Sequence, residues 1–296
     1  MLSVLIPVFN YDIRSLVTTV HKQLVASSTP FEIICIDDCS KTHFSTLNSE
    51  VQQLSNITYS IAHQNKGRVA TRQELAKSAA YDWLLFLDAD VMPKPDNFIE
   101  QYIGHLGSKY KAIYGGITYE NTKPDSNFML RWTYGKAKEE LSANYRNSNT
   151  YKSLVSANFL IQKSIFTEHN VKIRQKGYGY DNYFGTLLKA NTTPVLHIDN
   201  AVYHLGLESN TIYLNKIEAA VNTLLKLNEQ GQLNDTDNSL LNTFKRLKIW
   251  KVNYFFSWLY KAFYNQFKNN LLGDRPRIFI IQCYKLSYIC YQDLNS

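Results

Sequence analysis

The chain has 296 residues, 45% apolar and 19% charged, which excludes a disordered polypeptide and allows one large domain or a domain with an appendage. A net charge of +7 favours anionic partners, whether phosphates, nucleic acid or acidic lipid, without choosing among them. The four cysteines, Cys35, Cys39, Cys283 and Cys290, form no CxxC pair, which excludes a zinc-knuckle spacing and fits reduced thiols in a cytosolic protein.

SVLIPVF is an apolar strand that starts almost at Met1 and ends at Asn10; it is too short for a signal-peptide core, and no basic segment precedes it. A helical pattern follows over 13–26, with Leu16, Val17, Val20 and Leu24 on one face. FEIICID is a second strand and ends in Asp37-Asp38. A helix over 44–54, a strand ITYSIA and a helix over 68–80 come next, and DWLLFLD is a fourth strand ending in Asp88. Near-continuous apolar strands separated by amphipathic helices imply a parallel sheet covered on both faces, with right-handed crossovers. Such sheets take ligands outside the carboxyl ends of their strands. Asn10, Asp37, Asp38, Asn65, Asp88 and Asp90 all lie at or just past those ends and are expected on one edge. Carboxylates gathered there need cations or hydrogen-bond donors, so a metal or a donor-rich ligand is expected with them.

Beyond Pro93 and Pro95 the pattern gives a helix over 97–106, a fifth strand in AIYGG, and a helix-like stretch over 127–145 with Arg131 and Trp132 on a polar-aromatic face. SLVSANFLIQKSIF reads as a strand running into a helix, TTPVLHIDNAVYHLG as a strand and its loop, and 212–229 as an amphipathic helix. Over 240–268 the basic residues Lys245, Arg246, Lys248, Lys251, Lys261 and Lys268 alternate with Phe, Trp and Tyr and with no acidic residue. That composition suits helices lying on an anionic membrane, and equally helices packed on the rest of the chain with solvated lysines. Nucleic acid is not an expected partner, because no recognised module is present. No apolar run approaches the roughly 18–20 residues of a bilayer span, so a soluble or peripheral protein is expected.

LLFLDADVMP carries the strongest single signal. Asp88 and Asp90 leave a buried strand on the same side, and two hard oxygen ligands so placed suit Mg²⁺ or Mn²⁺ alongside phosphate oxygens. A solvated Asp-rich turn is the plain alternative. The stretch also resembles the nucleophile loop of haloacid-dehalogenase-type phosphatases, although those carry it on the first strand and add a later acidic pair that is missing here. GYGYDNYFG, at 177–185, has the glycine punctuation of a phosphate loop yet completes no GxGxxG, and it contains a single acidic residue, Asp181.

SVLIPVFN, EIICIDDCS, QNKGRVATR and FLDAD, in that order and spacing, resemble the successive signatures of family 2 glycosyltransferases. The resemblance runs through about residue 207. It implies an α/β GT-A fold: a Rossmann-like, mostly parallel sheet flanked by helices, with a C-terminal helical appendage. The implied domains are 1–208, with 1–115 binding the nucleotide sugar and 116–208 the acceptor, and a helical region 209–296. The implied reaction is an inverting sugar transfer from a nucleotide-diphosphate sugar, UDP favoured, to a hydroxyl of a glycan or lipid-linked glycan, on the cytoplasmic side and at the inner face of the membrane if the basic stretch binds lipid.

By the same resemblance Pro7 and Val8 line the base pocket, Asp38 accepts from the base edge, and Asn10, Asn65 and Ala89 belong to the nucleotide-sugar site. Arg68 or Arg72 meets the diphosphate, Asp88 sits by the ribose and metal, and Asp90 binds Mn²⁺ or Mg²⁺ with His204 completing the shell. GYGYDNYFG fits the family frame G-x-G-E-D-N-x-F-G except that Tyr180 stands where Glu is usual, which leaves Asp181 as the general base. Trp132, Asn158, Tyr180 and Asn182 fall on the acceptor side, Trp132 serving either sugar stacking or the core, while His197 reads as a packed histidine. A phosphatase, and a non-catalytic sugar-nucleotide or membrane-binding protein of the same fold, are the alternatives; Tyr180 hints at the latter.

Overall fold

The computed structural model describes residues 1–173 and 175–295. In chain order its elements are β1 (Leu2–Val8), α1 (Arg14–Ala26), β2 (Phe31–Asp37), α2 (Thr42–Ser49), β3 (Ile57–Ile61), α3 (Arg68–Ser78), β4 (Trp83–Leu87) and β5 (Val91–Pro93). They continue with α4 (Phe98–Ile103), β6 (Ala112–Tyr114), β7 (Ile117–Thr118), α5 (Met129–Lys138), α6 (Ala143–Asn147), β8 (Asn158–Gln162) and α7 (Lys163–Asn170). The last are α8 (Asp181–Ala190), β9 (Val195–His197), β10 (Val202–His204), α9 (Asn210–Glu229), α10 (Ser239–Ile249), α11 (Asn253–Leu271) and α12 (Ile278–Asn295).

Two compact units arise from interleaved segments. The first comprises Met1–Thr118, Leu141–Lys176 and Asn191–Gly206; the second comprises Tyr119–Glu140, Gly177–Ala190 and the chain from Leu207 on. The boundary expected after 208 therefore falls close to the start of the last segment, but two earlier segments join the helices beyond it. Sequence order hid this, because no linker marks any of the crossings.

The first unit is built on a seven-stranded sheet of order β3-β2-β1-β4-β8-β6-β9. β1 pairs in parallel with β2 and β4, β2 with β3, and β6 with β9, whereas β8 runs antiparallel between β4 and β6. β1 and β4 mark the point where strand order reverses, the place where open α/β sheets bind ligands. The core sits on both faces: Leu16, Val17, Val20 and Leu24 of α1 are buried as their spacing predicts, and Phe86 packs on Phe159 and Phe166 with ring centroids 5.0 and 4.4 Å away. A second small sheet, β5-β10-β7, stands beside it in the same unit.

Three expected elements are shorter or divided. The helix expected over 44–54 ends at Ser49 and continues as a 3-10 turn over Glu50–Gln53. AIYGG gives only β6; Gly116 then turns with φ +88° and the chain enters β7 in the other sheet. The stretch 127–145 breaks between α5 and α6, where the Ser142 hydroxyl accepts from the Tyr145 amide and starts a new helix.

The second unit contains α5, α8 and α9–α12. Tyr213, Leu214, Ile217, Val221 and Leu224 form the buried stripe of α9. α11 and α12 pack through tyrosines: Tyr260 lies 5.6, 5.4 and 4.8 Å from the rings of Tyr284, Tyr288 and Tyr291. The buried Arg131 guanidinium lies between the Tyr119 and Tyr213 rings, 5.3 and 4.9 Å from their centroids, and pairs with Glu139 at 2.9 Å.

Candidate active site

At the carboxyl ends of β1, β2 and β4 the side chains are held by hydrogen bonds. Asp37 is fully buried and accepts from the Ser40 amide at 2.7 Å, Ser45 Oγ at 3.1 Å and Tyr59 Oη at 2.6 Å. It is a core tie. Asp38 accepts the Lys66 and Gly67 amides, each at 2.7 Å, and the Asn65 side chain donates to the Asp38 carbonyl at 3.0 Å. These bonds fold the loop that precedes α3. Asn10, with φ +51°, donates its amide to Ser40 Oγ and accepts the Lys41 amide on Oδ1. Pro7 is half-buried, and Val8 and Ala89 are buried.

α3 starts at Arg68, so Arg68 and Arg72 share one helix face. Both reach Asp88: Arg68 Nη2 donates to Oδ2 at 2.6 Å and Arg72 Nη2 to Oδ1 at 2.7 Å. Ser156 joins them, its hydroxyl accepting from Arg68 at 2.9 Å and its carbonyl from Arg72. Arg72 is buried with its guanidinium 5.8 and 5.7 Å from the Phe86 and Phe159 centroids. Burial pushes the Asp88 carboxyl up, but Arg68, Arg72 and then His204 outweigh it and hold it below the usual carboxylate range. Of the two arginines the resemblance offered as alternatives, the fold uses both on one carboxylate.

Asp90 and His204 meet for a reason of register. β5 and β10 are antiparallel with Val91 opposite His204, so the residue before Val91 lies beside the histidine. His204 Nε2 stands 3.5 Å from Asp90 Oδ2, and the Leu205 amide donates to the Asp90 carbonyl at 2.8 Å. At Gly206 any Cβ would overlap the Asp90 carboxylate, so glycine is what allows the two to approach this closely. Among the described residues no group of three or more His, Cys, Asp or Glu is placed to hold a metal ion. Asp90 and His204 offer one oxygen and one nitrogen, a donor pair that fits Mn²⁺ or Mg²⁺ when phosphate oxygens complete the shell.

Sequence reasoning missed Tyr11, Ser156 and Gly206. Burial, then the charges of Asp90 and Asp12, push the Tyr11 phenol up, which puts this half-buried residue within electrostatic reach of Asp90. Its place directly after Asn10, past the end of the first strand, was the available signal.

The expected acceptor-side residues divide. Asn158, in the first unit, is fully buried: it accepts from Tyr102 Oη at 2.6 Å and donates to the carbonyls of Gly116 and Asn200 at 3.0 and 2.8 Å. Its Oδ1 and both N–H groups are thus engaged inside the core. Trp132, Tyr180, Asp181 and Asn182 all lie in the second unit. Asp181 is exposed and opens α8, where a carboxylate suits the positive end of the helix. Gly179 makes the turn before it with φ +94°, against the backbone of Ala220. Tyr180 is buried, a packed ring, and burial pushes its phenol up. Asn182 Oδ1 accepts from Asn238 Nδ2 at 2.9 Å. Trp132 is half-buried and donates its indole N–H to the Glu120 carbonyl at 2.9 Å. His197 is packed, as expected, between Arg146 Nη1 and the Thr150 carbonyl.

Comparison with known proteins gives the family and the fold. The family model described as Glycosyl transferase family 2 matches residues 3–176. A curated relative from Haemophilus influenzae, described as an uncharacterized glycosyltransferase, is 33% identical over 134 residues, covering 40% of this chain and 42% of the relative's length. The crystal structure of S. aureus TarS 1-349 superposes with a TM-score of 0.52 at 15% identity, covering 99% of this chain and 91% of that one. The mannosyltransferase PcManGT from Pyrobaculum calidifontis, solved with GDP-Man and Mn²⁺, gives 0.53 at 12% identity, covering 77% and 64%. At these identities the structural likeness concerns the fold, a GT-A arrangement of sheet and helices. FLDAD lies inside the matched segment as the end of a fourth strand, which removes the phosphatase reading of that loop. With the match running from Ser3 to Lys176, more than half of the chain, the protein belongs to glycosyl transferase family 2.

Proposed function

We propose that this family member transfers a sugar, with inversion, from a nucleoside-diphosphate sugar to a hydroxyl of a glycan or lipid-linked glycan on the cytoplasmic side. The observation that carries the reading is the Arg68–Asp88–Arg72 arrangement at the strand-order reversal of a family 2 chain. Two guanidinium groups fixed beside that edge suit the charge of a diphosphate. Solved relatives of the same fold support the donor class: TarS was crystallised with UDP-GlcNAc, at TM-score 0.51 and 17% identity, and PcManGT with GDP-Man and Mn²⁺. UDP is the donor nucleotide we favour.

In this reading Pro7, Val8, Asn10, Asp38, Asn65 and Ala89 border the nucleotide, and Asp88 orients the arginines. Asp90 and His204 would hold the Mn²⁺ or Mg²⁺. When bound, that ion supplies charge neutralisation to the departing diphosphate. Asp181 takes the proton of the incoming hydroxyl; Trp132 and Asn182 belong with the acceptor. Surface polysaccharide and lipid-linked oligosaccharide are the acceptor classes proposed.

The test is Asp181→Asn, assayed over a panel of nucleotide sugars and glycan acceptors. The variant should keep its thermal stabilisation by UDP with Mn²⁺ and lose transfer by about two to four orders of magnitude. Transfer near the wild-type rate removes Asp181 as the base. Stabilisation without turnover in the wild type, across the whole panel, makes the protein a sugar-nucleotide binder instead.

A further inference from the structure

The second unit leaves large apolar side chains in water at one corner. α10 ends at Ile249, Trp250 follows, Lys251 turns with φ +59°, and α11 begins after Val252. Ile249 and Trp250 are 78% and 79% exposed, and Tyr254, Trp258 and Phe255 are 62%, 57% and 55% exposed. Phe255 and Trp258 lie against one another with centroids 5.8 Å apart. Scattered exposed apolar residues are ordinary, but a contiguous set of aromatic rings marks a surface that something covers.

The exposed stripe of α11 changes character along its length. Tyr254 and Trp258 occupy it at the corner; Lys261, Asn265 and Asn269 continue it at helical spacing farther on, and all five are exposed. The most exposed apolar side chains thus gather at the turn between two helices, and farther along α11 Phe263, 41% exposed, stands among polar neighbours. Basic residues lie at this corner and continue along α11. Lys245, Arg246, Lys248, Lys251, Lys261 and Lys268 lie within 239–273, a stretch with no acidic residue. Lys248 pairs with Asp293 at 2.6 Å and Lys261 lies 5.4 Å from the Tyr291 ring, while Arg246 and Lys251 are exposed on either side of Ile249 and Trp250.

Rings ringed by cations select the occupant. A second copy of this chain, paired about a twofold axis, would set the basic corner against itself, and like charges across an interface are unfavourable. A spanning segment is not what this region offers, since no helix among the described residues is long and apolar enough to cross a membrane. An anionic lipid surface meets both features, with rings at the headgroup boundary and Lys and Arg at the phosphates. From the exposed Ile249, Trp250, Tyr254, Phe255 and Trp258 and the basic Lys245, Arg246 and Lys251 beside them, we infer that the α10–α11 corner docks this protein on an anionic bilayer. The inference goes beyond the sugar-transfer reading and does not depend on it.

Co-sedimentation of the full chain with vesicles tests this, using phosphatidylcholine alone and phosphatidylcholine mixed with phosphatidylglycerol. Binding to the mixed vesicles, a blue shift of tryptophan emission on binding, and release by salt are expected. The double variant Trp250→Ser with Trp258→Ser should bind those vesicles at least about tenfold more weakly. The charge variant Lys245→Glu with Lys251→Glu should lose the preference for phosphatidylglycerol. Both variants should melt with the wild type and keep its stabilisation by UDP, so loss of lipid binding is separable from any failure of the donor reading. No binding, equal binding to both vesicle types, or wild-type binding by the tryptophan variant overturns the inference. So does a wild-type dimer in light scattering that the tryptophan variant dissolves, which would make the corner a contact between copies.

Discussion

In the first unit buried polarity is organised by strand ends, with two buried histidines, His169 and His197, among them; in the second it is carried chiefly by tyrosines. All seven histidines of the chain, His21, His43, His63, His105, His169, His197 and His204, fall in the first unit and none in the second. There Arg146 is buried and donates to the carbonyls of Leu141, Tyr114, Gly115 and Ile198 and to His197, knitting β6 and β9 to the loops around them. The second unit buries Tyr119, Tyr213, Tyr260, Tyr284 and Tyr288 about helices, with Arg131 as its buried cation. The difference teaches where each unit is rigid. A carboxylate tied by two arginines or two amides is held by directional bonds, whereas stacked rings on helices are held by shape alone. The proposed donor residues belong to the first kind of structure, and the proposed base, Asp181, belongs to the second.

Replacing Asp181 has the largest expected effect and tests the second unit's part. Arg72→Met is the counterpart in the first. The methionine keeps an unbranched stem against Phe86 and Phe159, but Asp88 then retains only the more exposed Arg68 as its arginine partner. Removing one partner of a largely buried pair should lower stability by about 3 kcal/mol, read as the shift of the denaturant midpoint at unchanged slope. Stabilisation by UDP should fall with it. An unchanged midpoint would mean that Asp88 does not depend on Arg72, and the rigid-edge half of the comparison fails.

Acid should separate the units. Burial, with Arg146 adding to it against the Thr150 hydrogen bond, pushes His197 down to about 4. Burial pushes His169 down as well. The unfolded chain therefore holds more protons than the folded one between the ordinary histidine value of about 6.5 and the folded value. The stability that neutral His197 contributes is complete above that window and is lost as pH falls through it, by about 2–3 kcal/mol. The second unit has no histidine to respond. Its buried tyrosines Tyr213 and Tyr284 are raised by burial, so the stability they contribute is lost above the ordinary tyrosine value of about 10. Alkali does not discriminate, because Tyr59 and Tyr102 of the first unit are raised too. Hydrogen exchange at pH 5, corrected for intrinsic rates, should show β6, β8 and β9 opening before α9 and α12. Earlier opening of α9 and α12 would break the comparison.

How much of this was legible depended on whether neighbours in space were also readable in pattern. β1, β2 and β4 announced themselves by unbroken apolar runs, and their ends placed Asp38 and Asp88 on one edge without further information. Asp90 beside His204 was reached only through family resemblance, because their meeting depends on the β5–β10 register, which two three-residue strands do not betray. The interleaving of the units was not legible: the break between α5 and α6 has helical composition on both sides, and only the Ser142 cap decides it. That the Asn158 amide bonds inside the core was not legible, because a buried amide and an acceptor-binding amide look alike in sequence. Gly206 was overlooked for a similar reason, since a glycine in a loop carries no pattern. Gly206→Ala puts a methyl group on the Asp90 carboxylate. It should weaken Mn²⁺-dependent stabilisation by UDP about tenfold while shifting the metal-free melting temperature little, a smaller effect than the acid response. Unaltered metal dependence would detach the Asp90–His204 pair from the ion.

The smallest expected effect decides what replaced the usual glutamate before the proposed base. A carboxylate at position 180 would have to be buried where the Tyr180 ring packs, and an unpaired buried charge is expensive. The ring is therefore the residue that this position in the second unit accommodates, and the proposed transfer assigns its hydroxyl no role. Tyr180→Phe should leave turnover within about twofold and stability within about 1 kcal/mol. Tyr180→Glu, by contrast, should lower the melting temperature without raising turnover, because the new carboxylate is buried before it can act on Asp181. A tenfold loss in the phenylalanine variant would put the Tyr180 hydroxyl into the reaction. A gain of turnover in the glutamate variant would show that the position is open to solvent in the working enzyme, and that the second unit is looser there than its packed tyrosines suggest.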